Sequence, residues 1–243
     1  MRSLLLLSLL LSTNSWADSQ LLYRASENTE VREVNIRIAD GWVRTDFDQK
    51  GYTIWNSNQK KFTYVKHKSH EYLSVDEATL TQVAQFAPGL MALLGDDAPQ
   101  AADVSSQASI PKQLKKTNRQ GKAAGIVCDI IEVQENNKTI AEMCMADALQ
   151  LEMPASELGT LQSLAQFATT LADSFMLSQV GKQPTWLKAF ISDQIPLQYW
   201  TLQNGKKYLE MELVSVSHPK LNAQVFSPPA NYAATDFSYP PPQ

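Results

Sequence analysis

Residues 34–65, VNIRIADGWVRTDFDQKGYTIWNSNQKKFTYV, decide the fold of this chain. Apolar and polar residues alternate here with a period of two, as in Val34, Ile36 and Ile38. Polar breaks at residues 40–41, 49–51 and 56–59 separate the alternating runs. Alternation between short polar turns is typical of antiparallel strands with one buried face. The stretch and its flanks, residues 31–75, therefore predict an antiparallel meander.

A second set of strands is predicted after residue 112. The alternating or β-rich segments are residues 113–119, 126–133, 139–145, 198–203, 206–216 and 223–226. Asn204-Gly205 joins two of them and is the strongest two-residue hairpin signal.

Two helices are predicted between these strands. Residues 74–77, Ser-Val-Asp-Glu, have the form of a capping box, and apolar residues follow at helical spacing through residue 94. The second helix covers roughly residues 154–180, with Pro154 in its first turn. Between residues 155 and 181 its only charges are Glu157 and Asp173. An apolar surface this wide predicts burial on more than one side.

The first seventeen residues predict a secretory signal peptide. Arg2 precedes an apolar run, residues 4–11, and Ser15 and Ala17 are the small residues that a signal peptidase recognises. The run is too short to span a bilayer as an anchor. We expect cleavage between Ala17 and Asp18, which leaves 226 of the 243 residues and a formal net charge of −5 instead of −4. The rest predicts a single domain, residues 18–232, with a flexible insertion at 96–111 and a disordered Pro-rich tail at 233–243.

The mature chain has two cysteines, Cys128 and Cys144, and an even count in an exported protein favours a disulfide. A hairpin with a three-residue turn at 135–137 would pair Gln134 with Lys138 and place the cysteines directly opposite one another. A redox role has little support, because the chain has no C-x-x-C motif.

Sequence motifs for catalysis or metal binding are absent, so an enzyme is not expected and no cofactor is predicted. His67 and His70, placed in a predicted strand, should face opposite sides and not share a metal. Glu210 and Glu212 fit a solvent-facing strand better than a catalytic pair. The acidic net charge gives no reason to expect nucleic-acid binding. A basic run is either a solvated edge or a contact for anionic lipid headgroups; it comprises Lys112, Lys115, Lys116, Arg119 and Lys122.

Two short motifs carry a family resemblance. These are GWVRTDF at residues 41–47 and AQVFSPPANY at residues 223–232, which has the form F-x-x-P-x-x-Y. With the order of elements, the chain resembles the outer-membrane lipoprotein carrier (Lol-like) superfamily and related periplasmic domains. The resemblance implies an α+β fold: an incomplete, half-open antiparallel β-barrel or a strongly curved sheet, with two main helices that cover or plug the concave face. In the carriers this cavity receives acyl chains, and the location implied is the Gram-negative periplasm.

We therefore expect a periplasmic protein that binds or carries a lipid, an acyl chain or a lipidated partner in an apolar cavity. The predicted wall comprises Leu80, Val83, Met91, Leu161, Leu164, Phe167, Leu171, Phe175 and Trp42. The alternative is a non-enzymatic interaction module of the cell envelope with a fully packed core, acting through a strand edge, the basic run or the tail. The leader would also suit a eukaryotic secreted protein, in which Asn137-Lys138-Thr139 would be a glycosylation site.

Overall fold

The computed structural model describes residues 18–27, 30–47, 49–79, 113–173, 190 and 192–235. Twelve strands lie in these ranges. In chain order they are β1 Ser19–Glu27, β2 Glu30–Ala39, β3 Trp42–Phe47, β4 Gly51–Asn56, β5 Lys61–Lys66, β6 Glu71–Asp76, β7 Gln113–Ala123, β8 Ile126–Glu135, β9 Lys138–Asp147, β10 Gln194–Gln203, β11 Lys206–Ser217 and β12 Ala233–Thr235. Helix α1 covers Ala155–Asp173, residues 77–79 are also helical, and short 3₁₀ helices lie at Ala148–Leu151 and Ala223–Phe226.

All twelve strands belong to one mixed sheet in the order β12-β6-β5-β4-β3-β2-β1-β11-β10-β9-β8-β7. Every neighbouring pair is antiparallel except β12 and β6, which are parallel. The sheet consists of two meanders, β1–β6 and β7–β11, joined where β1 pairs with β11. The predicted meander over residues 31–75 is confirmed as β2–β6.

The predicted fold class is wrong. The sheet is not closed into a half-open barrel under two covering helices; it is one large sheet in which strand dominates. The physical reason is β1, which the sequence analysis did not predict. Strand β1 pairs with β2 on one side and β11 on the other, so it joins the two meanders into one continuous sheet.

The turns follow from residues that accept a positive φ. Gly41 has φ +79° between β2 and β3, and a Cβ there would lie 2.4 Å from the side chain of Asn58. The Asn204-Gly205 hairpin is confirmed, with φ values of 51° and 75°. Both turns use the left-handed conformation that short hairpins require.

The disulfide between Cys128 and Cys144 is confirmed, with the two Cα atoms 5.3 Å apart. The predicted register is wrong, because the turn is the two residues 136–137, both with positive φ, and Glu135 pairs with Lys138. A further one-residue register shift between Val133 and Gln134 then places Cys144 opposite Ile130, and the disulfide joins diagonal neighbours. A disulfide is consistent with an extracytoplasmic location.

Local departures occur at three predicted boundaries. Ser74 lies inside β6 and contacts Thr63, while Asp76 accepts the hydrogen bond from the Thr79 amide, so the cap is two residues later than predicted. Residues 223–226 form a 3₁₀ helix instead of a strand, because the Asn222 side chain accepts from the Gln224 amide. Residues 233–235, at the start of the predicted tail, form β12.

The strands β2–β6 have two differently covered faces. One face, the helix face, carries Ile38, Val43 and Trp55, and α1 packs on it over β2 and β3. The opposite face carries Tyr52, Ile54 and Val65, which pack against residues 221–232. We call that segment the C-terminal strap and this face the strap face.

Candidate functional site

The C-terminal strap is held to the strap face by side-chain hydrogen bonds. Arg44 Nη1 donates to the Val225 carbonyl oxygen at 2.8 Å, and Tyr52 Oη donates to the Ser227 carbonyl oxygen at 3.1 Å. The Arg44 guanidinium also lies 3.5 Å from the centre of the Tyr52 ring. Burial raises the pKa of the Tyr52 phenol, although Arg44 lowers it in part. Both side chains therefore fix the position of the strap over the sheet.

A cleft of about 240 Å³ lies between the strap and strands β3–β6. We call it the Trp42 cleft. Its apolar and aromatic lining comprises Trp42, Ile54, Tyr72, Phe226 and Pro228. The rings of Trp42 and Phe226 have their centres 6.1 Å apart, and Phe226 is buried while Trp42 is half-buried. Trp42, like Tyr72 and Pro228, is thus an accessible part of this wall, whereas Ile54 and Phe226 are buried.

The remainder of the Trp42 cleft is polar and comprises Asn56, Gln59, Lys61, Thr63, Ser74 and Ser227. The Asn56 side chain accepts from the backbone amides of Asn58 and Gln59, both at 3.0 Å, and so orders the β4–β5 turn. Lys61 is exposed at the start of β5. The cleft therefore places an aromatic wall beside amides, hydroxyls and one cation.

A second cleft, of about 390 Å³, lies beside the disulfide at the ends of β7–β10. Its lining is mostly polar and comprises Gln120, Val127, Cys128, Asp129, Met145, Asp147, Leu149, Gln150 and Gln194. Leu149 is 79% exposed, and the Asp147 side chain caps the 3₁₀ helix that carries it. This cleft has no continuous apolar wall.

The predicted basic run meets the sheet at β7, an edge strand. Lys115, Lys116 and Lys122 are exposed or half-buried there, and Lys112 lies outside the described residues. Arg119 is also exposed, but it is paired: its Nη2 lies 2.9 Å from Glu142 Oε1 and 3.2 Å from Glu132 Oε1.

Glu142 is the buried centre of this charge network, since Lys207 of β11 contacts its other oxygen. Burial raises the pKa of Glu142, but the hydrogen bonds from Lys207 and Arg119 outweigh burial and lower it below the ordinary value. These contacts tie β7 and β11 to β9. A structural role accounts for Arg119.

The predicted ligand wall is divided by the sheet. Leu161 and Phe167 are each 3% exposed on the helix face, where the Phe167 ring stacks on Trp55 with centres 4.5 Å apart. Leu164 is half-buried against the same core. Trp42 lies on the strap face, so the structure does not bring it together with α1. The rest of the predicted wall lies outside what the structure describes, namely Leu80, Val83, Met91, Phe175 and the side chain of Leu171. The predicted insertion 96–111 lies outside it as well.

The prediction for the histidines was wrong in its geometry. His67 and His70 lie in the β5–β6 turn, not in a strand, and both contact Tyr232 of the strap. His67 Nδ1 is 2.8 Å from Tyr232 Oη, which accounts for its orientation. No group of three or more His, Cys, Asp or Glu side chains that could hold a metal ion occurs in the described part of the chain.

Glu210 and Glu212 have separate partners. Thr201 Oγ1 donates to Glu210 at 2.7 Å, whereas Arg24 Nη1 pairs with Glu212 at 2.8 Å. They therefore form no joint carboxylate site. In the same described ranges, no helix combines the length and the apolar character needed to cross a membrane.

Comparison with known families and with curated proteins gives no match. Among solved structures, the chain is similar to PNGF-II in two crystal forms, in space groups C2 and P21, with TM-scores of 0.41 and 0.39 and 11% sequence identity. The match covers 90% of this chain and 31% of the other, so this chain spans about a third of the length of PNGF-II. A likeness this weak assigns neither family nor activity. The resemblance to the lipoprotein carriers stays a prediction.

Proposed function

We propose that this chain is an exported periplasmic protein, cleaved between Ala17 and Asp18, that binds an acyl chain with an anionic head group in the Trp42 cleft. The acyl chain belongs to a lipid or to a lipidated partner. The observation that carries the proposal is the division of the cleft into an aromatic wall and a polar rim with Lys61. The disulfide supports the extracytoplasmic location.

The aromatic wall supplies the affinity in this proposal. Each methylene buried against Trp42, Ile54 and Phe226 contributes about 0.8 kcal/mol. Trp and Tyr suit an amphiphile because each offers an apolar body with a polar tip. The hydroxyls of Thr63 and Ser74 lie 2.7 Å apart and satisfy each other, which leaves that side of the wall without an unpaired group.

The polar rim holds the head group at the mouth of the cleft in this proposal. An anionic head placed near Lys61 gains a charge-assisted hydrogen bond and stays in contact with water. Such a pair at an exposed site contributes about 0.2–1 kcal/mol, far less than the buried chain. Affinity should therefore depend mainly on chain length and only weakly on the head group.

The test is a calorimetric titration of the mature protein with dodecanoate. Trp42→Ala should weaken binding at least about tenfold, because it removes an accessible aromatic part of the wall. Lys61→Ala should weaken it about two- to fivefold. Trp200→Ala on β10 and Lys116→Ala on β7 are matched controls away from the cleft and should leave affinity unchanged.

The probe that binds identifies the source of the ligand. Binding of dodecanoate with a negative heat-capacity change supports capture of a free acyl chain. Binding only of a phospholipid or a triacylated peptide assigns the cleft to that source. Equal affinity of wild type and Trp42→Ala for every probe would refute the site.

The alternative function, an interaction module of the cell envelope, is favoured by the packing of α1. Phe167 and Leu161 are already buried in the protein core, where Phe167 stacks on Trp55 of the sheet. The apolar surface of α1 therefore needs no ligand to shield it from water. Absence of any amphiphile binding, together with retention of a protein partner from an envelope extract by wild type, would favour this module.

A further inference from the structure

Glu157 is a buried carboxyl group without a full set of partners. It lies in the first turn of α1, is 4% exposed, and its Oε2 atom has no hydrogen-bond partner. Carboxylates at such depth are normally paired, since an unpaired buried charge is costly. The Oε2 atom of Glu157 therefore lacks the donor or cation that a buried carboxylate oxygen normally has.

The start of β1 lies against this carboxyl group. Ser19 is 0% exposed, pairs in register with Ile38, and its hydroxyl and backbone amide face Glu157. Asp18 is held in place because its Oδ2 accepts a 2.7 Å hydrogen bond from the Leu221 amide. Since consecutive residues are about 3.8 Å apart, the nitrogen of Asp18 lies within about 4 Å of that of Ser19.

The charged groups around Glu157 are acidic. Asp18 and, from the β2–β3 turn, Asp40 both raise its pKa. Among the described residues, His218 Nδ1 lies 3.5 Å from the Ser19 hydroxyl. Burial contributes most, and together these effects raise the pKa of Glu157 to about 7, although Ser19 lowers it in part. Glu157 thus interacts with two further carboxyl groups, and none of the Lys or Arg ion pairs among the residues described involves it.

We infer that Glu157 is the acceptor for the α-ammonium group that cleavage before Asp18 creates. In the uncleaved chain the Asp18 nitrogen is a neutral amide, and Glu157 remains unpaired. Cleavage converts this nitrogen into a cation beside a buried carboxylate, which fixes the first strand against α1. Removal of the leader is therefore a step that completes the fold. The inference rests on the proposed cleavage but not on ligand binding.

The experiment uses the chain made to begin at Asp18 and a chain that retains Trp16-Ala17. The pKa of the amino terminus, measured by NMR, should lie above about 9 in the first chain, against an ordinary value of about 7.7–8.0. Glu157→Gln should return it to the ordinary range. An ordinary pKa that Glu157→Gln does not change would overturn the pairing.

The extended chain provides a second measurement that keeps Glu157 intact. A carboxyl whose pKa is raised on folding contributes stability below its ordinary value of about 4.5 and loses that stability as pH rises to about 7. The urea midpoint of the extended chain should fall across this range, while that of the chain beginning at Asp18 should not. Identical pH profiles would contradict the proposal. If the mass of the naturally exported protein places the cleavage elsewhere, Glu157 has no role in maturation, even if it pairs with the amino terminus of the chain made to begin at Asp18.

Discussion

Replacing Phe167 with Ala tests whether α1 is part of the packed core. The Phe167 ring is 3% exposed and stacks on Trp55, with its centre also 6.0 Å from that of Phe62. A side chain in this position contributes packing to the folded state whether or not a ligand is present. The variant should therefore lose stability in ligand-free protein.

The expected loss is about 3–5 kcal/mol, the usual range for Phe→Ala at a buried site, where the removed surface and the residual cavity both contribute. The stacked pair with Trp55 accounts for about 0.5–1.5 kcal/mol of that loss. For a domain of this size about 3 °C in Tm corresponds to 1 kcal/mol, so Tm should fall by about 9–15 °C.

The assay is urea unfolding of delipidated protein followed by far-UV circular dichroism. With a slope of about 3 kcal/mol per molar urea, the midpoint should fall by about 1–1.7 M. Leu149→Ala, at a site that is 79% exposed, is the control and should change stability by less than about 0.5 kcal/mol. A loss below about 1 kcal/mol for Phe167→Ala would refute the packing of α1 described above.

Three further predictions concern the disulfide, the Glu142 charge network and the attachment of the C-terminal strap. Replacing Cys128 and Cys144 with Ser should reduce stability by about 2–4 kcal/mol, read as a lower Tm that reductant no longer changes. Glu142→Gln should reduce the free energy of unfolding by about 1–3 kcal/mol at pH 7. Because the folded-state pKa of Glu142 is lowered, this difference should vanish as pH falls well below about 4.5; a constant difference would contradict the network. Arg44→Met should increase the rate of amide hydrogen exchange in residues 221–232, and Tyr52→Phe should increase it less. Equal exchange rates in wild type and Arg44→Met would show that Arg44 does not hold the strap.

The local elements of this fold could be predicted because their signals are local. Asp40-Gly41 and Asn204-Gly205 specify hairpin turns through backbone conformations that few residues adopt, and the alternation around Ile36 specifies the face that is buried. The pairing of the two cysteines followed from their number. Their register did not, because a two-residue and a three-residue turn differ by one residue and both suit Asn136-Asn137, and the irregularity between Val133 and Gln134 shifts the pairing by one residue more.

The joining of the two meanders could not be predicted from such signals. Strand β1 gains its place from pairing with β11, almost two hundred residues away, and nothing in SQLLYRASE specifies that partner. The position of Trp42 was equally hidden: alternation shows that Trp42 and Val43 face opposite sides, but not which side α1 covers. The wall predicted from Trp42 and α1 together was therefore divided by the sheet.

The candidate site has the same limitation. Residues 223–232 were recognised as a motif, but the covering of β3–β6 by this segment depends on distant donors such as Arg44 and Tyr52. Glu157 gave no signal at all, because an acidic residue in the first turn of a helix is usually solvent-exposed and favourable there. Only the three-dimensional structure places it beside Ser19.

The most direct test of the central claim is native mass spectrometry of the protein exported with its own leader and purified without detergent. The account predicts a mature chain beginning at Asp18 that carries one lipid or acyl species, and a Trp42→Ala variant of the same fold that carries none. Wild-type protein that is bare, and that stays bare after incubation with dodecanoate and with phospholipid, would contradict the assignment of the Trp42 cleft as a binding site.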